Sequence, residues 1–136
     1  MKQKKVVVTG MGVVSCFGTD VDEFYAKLLA GESGVRAIES LDVSEFPTRF
    51  AAEVKPFDSE GYLDKKQARR VDPFVRYSVV AGKKALAMSG ITPENLKGVN
   101  PHQVGIIISS GMGGMKVFSD GVQTLLEKGF SRLSPF

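Results

Sequence analysis

The residues best suited to covalent chemistry are few: 136 residues carry one cysteine, Cys16, and one histidine, His102. A nucleophilic thiolate needs a cationic or helix-N-terminal setting and a base within reach. Cys16 stands among Val13, Val14 and Phe17, which reads as packing rather than reactivity. His102 follows Pro101 and reads as a loop surface residue. One thiol and one imidazole cannot supply a zinc site of standard spacing, so no metal is expected. Two glycine loops invite a nucleotide reading, which fails in detail. Gly10-Met11-Gly12 is followed by Ser15 where a dinucleotide fingerprint has its third glycine, and Gly111-Met112-Gly113-Gly114 lacks the Lys and Ser/Thr of a phosphate loop. The second loop reads as a tight strand-to-helix turn that needs positive φ, and no cofactor is expected. The densest charge is Lys65, Lys66, Arg69 and Arg70. Spacings of three and four bring Lys66, Arg69 and Arg70 to neighbouring positions on a helix. Such a cluster is either a solvated face or a docking patch for an acidic partner, whose attraction salt would weaken.

The elements that would position these residues come from periodicity. Lys4 to Val8 and Gly105 to Ile108 predict strands buried on both faces. A helix follows Thr19-Asp20, with Val21, Phe24, Tyr25, Leu28 and Leu29 at helical spacing and Gly31 as its stop. Residues 35–63 are irregular, apart from a short strand expected over Phe50 to Val54. Lys65 to Val71 is a short basic segment, helical or extended. Asp72-Pro73 starts a second long helix, whose face Phe74, Tyr77, Ala81, Ala85, Met88 runs to Gly90. Small residues Ala81, Gly82 and Ala85 predict a close approach by another element. Thr92-Pro93-Glu94 opens a short turn of helix, and Met115, Phe118, Val122, Leu125 and Leu126 stripe a last helix that Gly129 ends. This twofold strand–glycine–helix order is that of an α/β protein, with no domain boundary inside the chain.

Composition narrows the class. A hydrophobic share of 43% and a charged share of 24% are those of an ordinary soluble domain. A net charge of +3 is too mild, and its aromatics too poorly interleaved with basic residues, to indicate nucleic acid. No apolar run approaches the ~20 residues of a membrane span, and no signal-peptide cleavage site follows Val6-Val7-Val8. The lone cysteine excludes an internal disulfide and favours a reducing compartment, cytoplasmic or a plastid stroma.

Taken together, V-V-V-T-G-M-G-V-V-S, L-L-A-G-E-S-G-V, F-P-T-R-F-A-A-E-V and S-S-G-M-G-G-M resemble the β-ketoacyl-acyl carrier protein synthases, above all the type II condensing enzymes of bacterial and plastid fatty acid synthesis. The resemblance covers residues 1–136 and implies the N-terminal half of a thiolase-like fold, with layered helices and a mixed sheet, in an enzyme that dimerises. It implies an acyltransferase in which a cysteine at a helix N-terminus takes the acyl chain as a thioester. Two histidines then assist decarboxylation of malonyl-carrier protein, and the carbanion attacks the thioester. All those groups lie downstream in the family, and Cys16 does not match the nucleophile's motif. No catalytic residue is therefore assigned, and the 136-residue chain alone is expected to be inactive. Residues 132–136, R-L-S-P-F, look like the point where the family continues into its catalytic half. Residue by residue, Met112 matches the apolar position of the S-G-x-G-G loop that lines the acyl pocket. Lys66, Arg69 and Arg70 match the positions that meet the acidic carrier protein, and Arg132 matches a second basic spot. Ser131 stands where another basic residue often sits. The implied partners are acyl carrier protein, an acyl thioester and a second copy of the full-length protein. The competing expectation is a non-catalytic carrier-binding or chain-length-determining partner.

Overall fold

The computed structural model describes residues 4–56, 59 and 61–133; residues 134–136 of the R-L-S-P-F segment lie outside them. The element order is α1 (Val21–Leu29), β1 (Arg36–Ala37), β2 (Phe50–Ala51), α2 (Lys65–Ala68), α3 (Pro73–Ser89), α4 (Pro93–Leu96), a 3-10 turn (Pro101–Gln103), α5 (Met115–Lys128) and a 3-10 turn (Phe130–Arg132). Strands β1 and β2 are antiparallel, with Arg36 opposite Ala51 and Ala37 opposite Phe50.

Helix α3 is the axis of the fold. Its Val80 is the buried hydrophobic residue among those described. The first glycine turn lies directly on it. A Cβ on Gly12 would overlap the Ala81 carbonyl, and one on Gly10 would come within 2.7 Å of the Ser89 backbone nitrogen. The Met11 backbone N–H donates to the Met88 sulfur at 3.3 Å. The predicted stripe of α3 is thus used at Ala81, Ala85 and Met88, and two glycines without side chains make the approach possible. Gly82 differs from the expectation, since nothing stands within 4 Å of the Cβ it lacks; it faces away from the turn.

Lys84 adds a polar tie. Its Nζ donates to the Thr19 carbonyl at 2.6 Å and to the Thr19 hydroxyl at 2.7 Å. Thr19 is therefore occupied by α3, and Asp20 alone caps α1, accepting from the Glu23 N–H at 2.8 Å. The α1 surface carries Phe17 and Phe24 with ring centroids 6.3 Å apart, and the Lys27 ammonium sits 5.4 Å from the Phe17 centroid. Lys27 also pairs with Glu23 at 2.6 Å, which raises its pKa above the usual lysine value.

Two expectations are corrected. The Lys4–Val8 and Gly105–Ile108 runs are not buried strands: Val6 is 94% exposed and Ile107 97%. A two-sided buried strand needs a neighbour on its ladder and layers above and below. Among the described residues the two-stranded β1–β2 pair is the whole sheet, and neither run joins it. The mixed sheet of the sequence reading is here one short antiparallel pair. The expected strand over Phe50 to Val54 narrows to Phe50–Ala51, pairing with Arg36–Ala37 in a stretch read as irregular.

Candidate functional site

The site is assembled where α2, the start of α3 and α5 meet. Asp64 caps α2, accepting from the Lys66 N–H at 2.7 Å, so the basic segment is helical at its start. Arg69 is the helix C-cap, and the Arg70 N–H donates to the Gln67 carbonyl at 2.9 Å. Asp72 comes next. It holds the N-cap position of α3 yet makes no side-chain cap bond there. Its carboxylate instead accepts from the Lys116 and Val117 backbone N–H groups, at 3.2 and 3.4 Å. It thereby caps the first turn of α5 from another element. Asp72 is 6% exposed, a buried carboxylate satisfied by two amides and by the positive end of a helix.

The S-S-G-M-G-G-M loop leads into that helix end. Gly114 is the N-cap of α5 with φ 79°, so the positive φ expected of this turn belongs to it. Gly113 lies against the Phe74 ring, 2.8 Å from where its Cβ would stand. Phe74 is on the first turn of α3, so the same helix start supports both the loop and the cap. Met112 is 76% exposed on this loop. Residues 72–74 therefore join the basic segment to the Met112 loop.

Arg69, Arg70 and Arg132 line one groove of about 540 Å³. Its apolar wall comes from α5 and the turn beyond it, through Val117, Val122, Leu125 and Leu133. The stripe predicted for α5 is thus partly the wall of this groove. Lys66 is exposed on the same helical turn but is not among the lining residues. Ser131 is likewise exposed. A second cavity, of about 350 Å³, opens on the other side of Arg69 and is lined by Lys65, Arg69, Arg76 and Lys116 among others. Reading the sequence missed Arg76 and Lys116. The one signal was their cationic character, and they lie in separate helices.

The two residues first considered for chemistry stay apart from this region. Cys16 is half-buried rather than fully buried, with its sulfur against Gly34 and beside the β1–β2 pair. Gly34 is the second glycine of G-E-S-G, and its missing side chain makes room for the sulfur. His102 is exposed in the 3-10 turn, where its backbone N–H donates to Asn100 Oδ1 at 3.0 Å. Among the described residues no group of three His, Cys, Asp or Glu could hold a metal ion. Among the described residues no helix is long and apolar enough to cross a membrane.

Comparisons with known proteins bear on this arrangement. The chain is 51% identical over 134 residues to 3-oxoacyl-acyl-carrier-protein synthase I, chloroplastic, of Arabidopsis thaliana, covering 98% of this chain and 28% of that protein. It is 44% identical over 136 residues to 3-oxoacyl-acyl-carrier-protein synthase 2 of Vibrio cholerae, covering 100% of this chain and 32% of that one. Among solved structures, a β-ketoacyl synthase from Burkholderia phymatum matches with a TM-score of 0.69 at 29% identity, covering 96% of this chain and 31% of that one. A type II polyketide ketosynthase, solved in complex with its acyl carrier protein and bound to a hexaketide, matches with a TM-score of 0.71 at 26% identity, covering 98% and 33%. The chain spans just under a third of the length of these relatives. Its fold is that of the N-terminal portion of a thiolase-like ketosynthase. The model of the β-ketoacyl synthase N-terminal domain matches residues 3–136, and the chain belongs to that family.

Proposed function

We propose that this chain is the N-terminal part of a 3-oxoacyl-acyl carrier protein synthase, which as a complete homodimeric enzyme elongates acyl chains in fatty acid synthesis. The reaction is a decarboxylative Claisen condensation. Malonyl-carrier protein loses CO₂, its α-carbon forms a bond to the acyl carbon of the enzyme thioester, and the enzyme thiolate leaves. In this reading the chain supplies the carrier-docking surface through Lys66, Arg69, Arg70 and Arg132, and an acyl-pocket wall through Met112. The compartment is the cytoplasm or a plastid stroma, in keeping with bacterial and chloroplastic relatives. The observation that carries the reading is the shared groove: Arg69 and Arg70 from the middle of the sequence and Arg132 from near its end line it together. An acidic helix laid across it would meet three arginines against one carboxylate, Asp120, over a mainly apolar floor, an arrangement that steers association and loses strength with salt.

The 136 residues alone are proposed not to condense acyl groups. Cys16 is their one thiol, and it lies against Gly34 and the β1–β2 pair, with no imidazole among the residues that line its cavity. A second reading, a chain-length-determining partner subunit, draws on a matched solved structure described as a ketosynthase/chain length factor, with a TM-score of 0.72 at 26% identity, covering 95% of this chain and 32% of that one. A thioester-forming cysteine in the complete polypeptide, detected by acyl transfer from a labelled donor, decides for the enzyme; its absence decides for the partner.

The docking reading is tested by reversing Lys66, Arg69 and Arg70 to glutamate in the complete enzyme. Carrier affinity is expected to fall at least tenfold and its salt dependence to flatten; unchanged affinity would return these residues to a solvated face. Met112→Ala in the same enzyme is expected to change the range of acyl lengths accepted, because a flexible thioether fills a wall that must repack. An unaltered chain-length profile removes Met112 from the pocket.

A further inference from the structure

The Met112 loop is tied to α3 on its C-terminal side, and the tie runs through one aromatic ring. Phe74 is on the first turn of α3. Helical side chains lean back toward the helix N-terminus, which carries the ring toward the loop. A Cβ on Gly113 would stand 2.8 Å from the Phe74 Cζ and 3.0 and 3.2 Å from its two Cε atoms. These are the tip atoms of the ring, so ring and loop backbone meet with no side chain between them. Gly113 is not required by its own backbone: the positive φ of this turn belongs to Gly114. Contact with Phe74 is what leaves no room for a side chain there. The helix start is itself firm. The Val75 and Arg76 N–H groups donate to the Asp72 carbonyl at 3.0 and 3.4 Å, and the Ser78 hydroxyl donates to the Phe74 carbonyl at 2.9 Å. Beyond Gly113, the Asp72 carboxylate holds the Lys116 and Val117 amides. Met112 directly precedes Gly113, with consecutive Cα atoms about 3.8 Å apart, and it is 76% exposed. A ring that fixes Gly113 therefore fixes the root of the Met112 side chain and leaves its thioether end free.

We propose that Phe74 is a positioning residue for acyl-chain selection: its ring is the backstop that sets how far the Met112 wall stands from α3. This rests on the reading of Met112 as part of the acyl pocket and adds a second residue to that site. Phe74 acts through Met112 and not by touching the acyl chain. Met112 adapts through its three rotatable bonds, but those bonds work outward from a Cα whose place the Gly113 contact sets. One methylene in an apolar pocket changes selection by roughly 10–200-fold, so a small displacement of the wall is enough to be read. Removing the ring tip lets the loop settle toward α3, which gives a longer acyl chain more room. Adding a methyl at Gly113 does the reverse and presses the loop off the ring.

The test is the ratio of kcat/KM for a long-chain over a medium-chain saturated acyl-carrier substrate, measured in the complete enzyme. Misfolded enzyme lowers both values alike, so the ratio within one preparation does not report stability. Phe74→Leu is expected to raise the ratio at least threefold, and Gly113→Ala to lower it at least threefold. The double variant should return within twofold of the parent, because ring tip and methyl claim the same space and contacting residues are not additive. In a Met112→Ala background, Phe74→Leu should move the ratio less than twofold. If Phe74→Leu does not fold, Gly113→Ala with and without Met112 makes the same comparison. Unchanged ratios in the Phe74 and Gly113 variants, where Met112→Ala alters the ratio, overturn the backstop and leave the Met112 reading standing. Shifts in the same direction, or a Phe74→Leu effect as large without Met112 as with it, also overturn it, since the ring would then act by another route. A silent Met112→Ala removes the Met112 wall, and the backstop falls with it.

Discussion

At the scale of single residues, the glycines of V-T-G-M-G carry a constraint different from the one their motif suggests. A G-x-G after an apolar run reads first as a turn or as part of a nucleotide fingerprint. Here the decisive fact is contact: Gly10 and Gly12 abut backbone atoms of α3, not the flexible end of a side chain. Backbone cannot yield as a side-chain tip can, so an added methyl must push a helix away. Gly12→Ala in the complete protein is expected to cost about 1–3 kcal/mol, the range for overpacking, read as a lowered midpoint in chemical denaturation. An unchanged midpoint would mean the turn is not held on α3. The pairing was legible in part. Ala81 and Ala85 were read as a small-residue face awaiting a neighbour, but one sequence does not say which neighbour, because close packing is a property of two distant segments. The same limit hid Arg76 and Lys116, each an ordinary charged helix residue until α2, α3 and α5 meet.

At the scale of elements, helix ends were the most legible features, because caps are local chemistry. Asp20, Thr92 and the glycines after α1, α3 and α5 act at the positions their types indicate. Thr92 and Asn95 complete a capping box on α4, and Glu94 in that first turn is held below the usual carboxylate pKa by its own backbone N–H and by Thr92. Asp72 departs from this pattern. An Asp before Pro reads as the cap of its own helix, yet its carboxylate serves α5. Losing an N-cap costs ~0.5–2 kcal/mol, and here two amides in a buried setting lose their acceptor together. Asp72→Ala is therefore expected near the upper end of that range, whereas Asp72→Asn keeps an acceptor and should lose roughly half as much. Hydrogen exchange locates the effect: the Lys116 and Val117 amides should exchange faster in Asp72→Ala than in the parent. Equal protection in both would show that α5 does not depend on this cap.

At the scale of the whole molecule, the two most hydrophobic runs are the least covered. Lys4 to Val8 and Gly105 to Ile108 read as buried strands from their β-branched content, and that content is poorly suited to water. Their exposure leaves them, among the described residues, without the ladder neighbours and covering layers that a two-sided buried strand needs. The sequence signal was correct for composition and silent on partners, since a strand's mate lies elsewhere in a chain. Ile107 decides the matter, being 97% exposed here. If it keeps that exposure in the complete enzyme, Ile107→Lys is a surface change and should alter stability by less than ~0.5 kcal/mol. If the run becomes a central strand, the same lysine is a buried unpaired charge, a class of change that costs several kcal/mol. The second outcome is expected, as a large fall in thermal midpoint and in soluble yield, with Ile107→Val nearly silent. A complete enzyme that tolerates Ile107→Lys would mean that this run lies on the outside of the fold, and the layered arrangement inferred for the relatives would not extend to it.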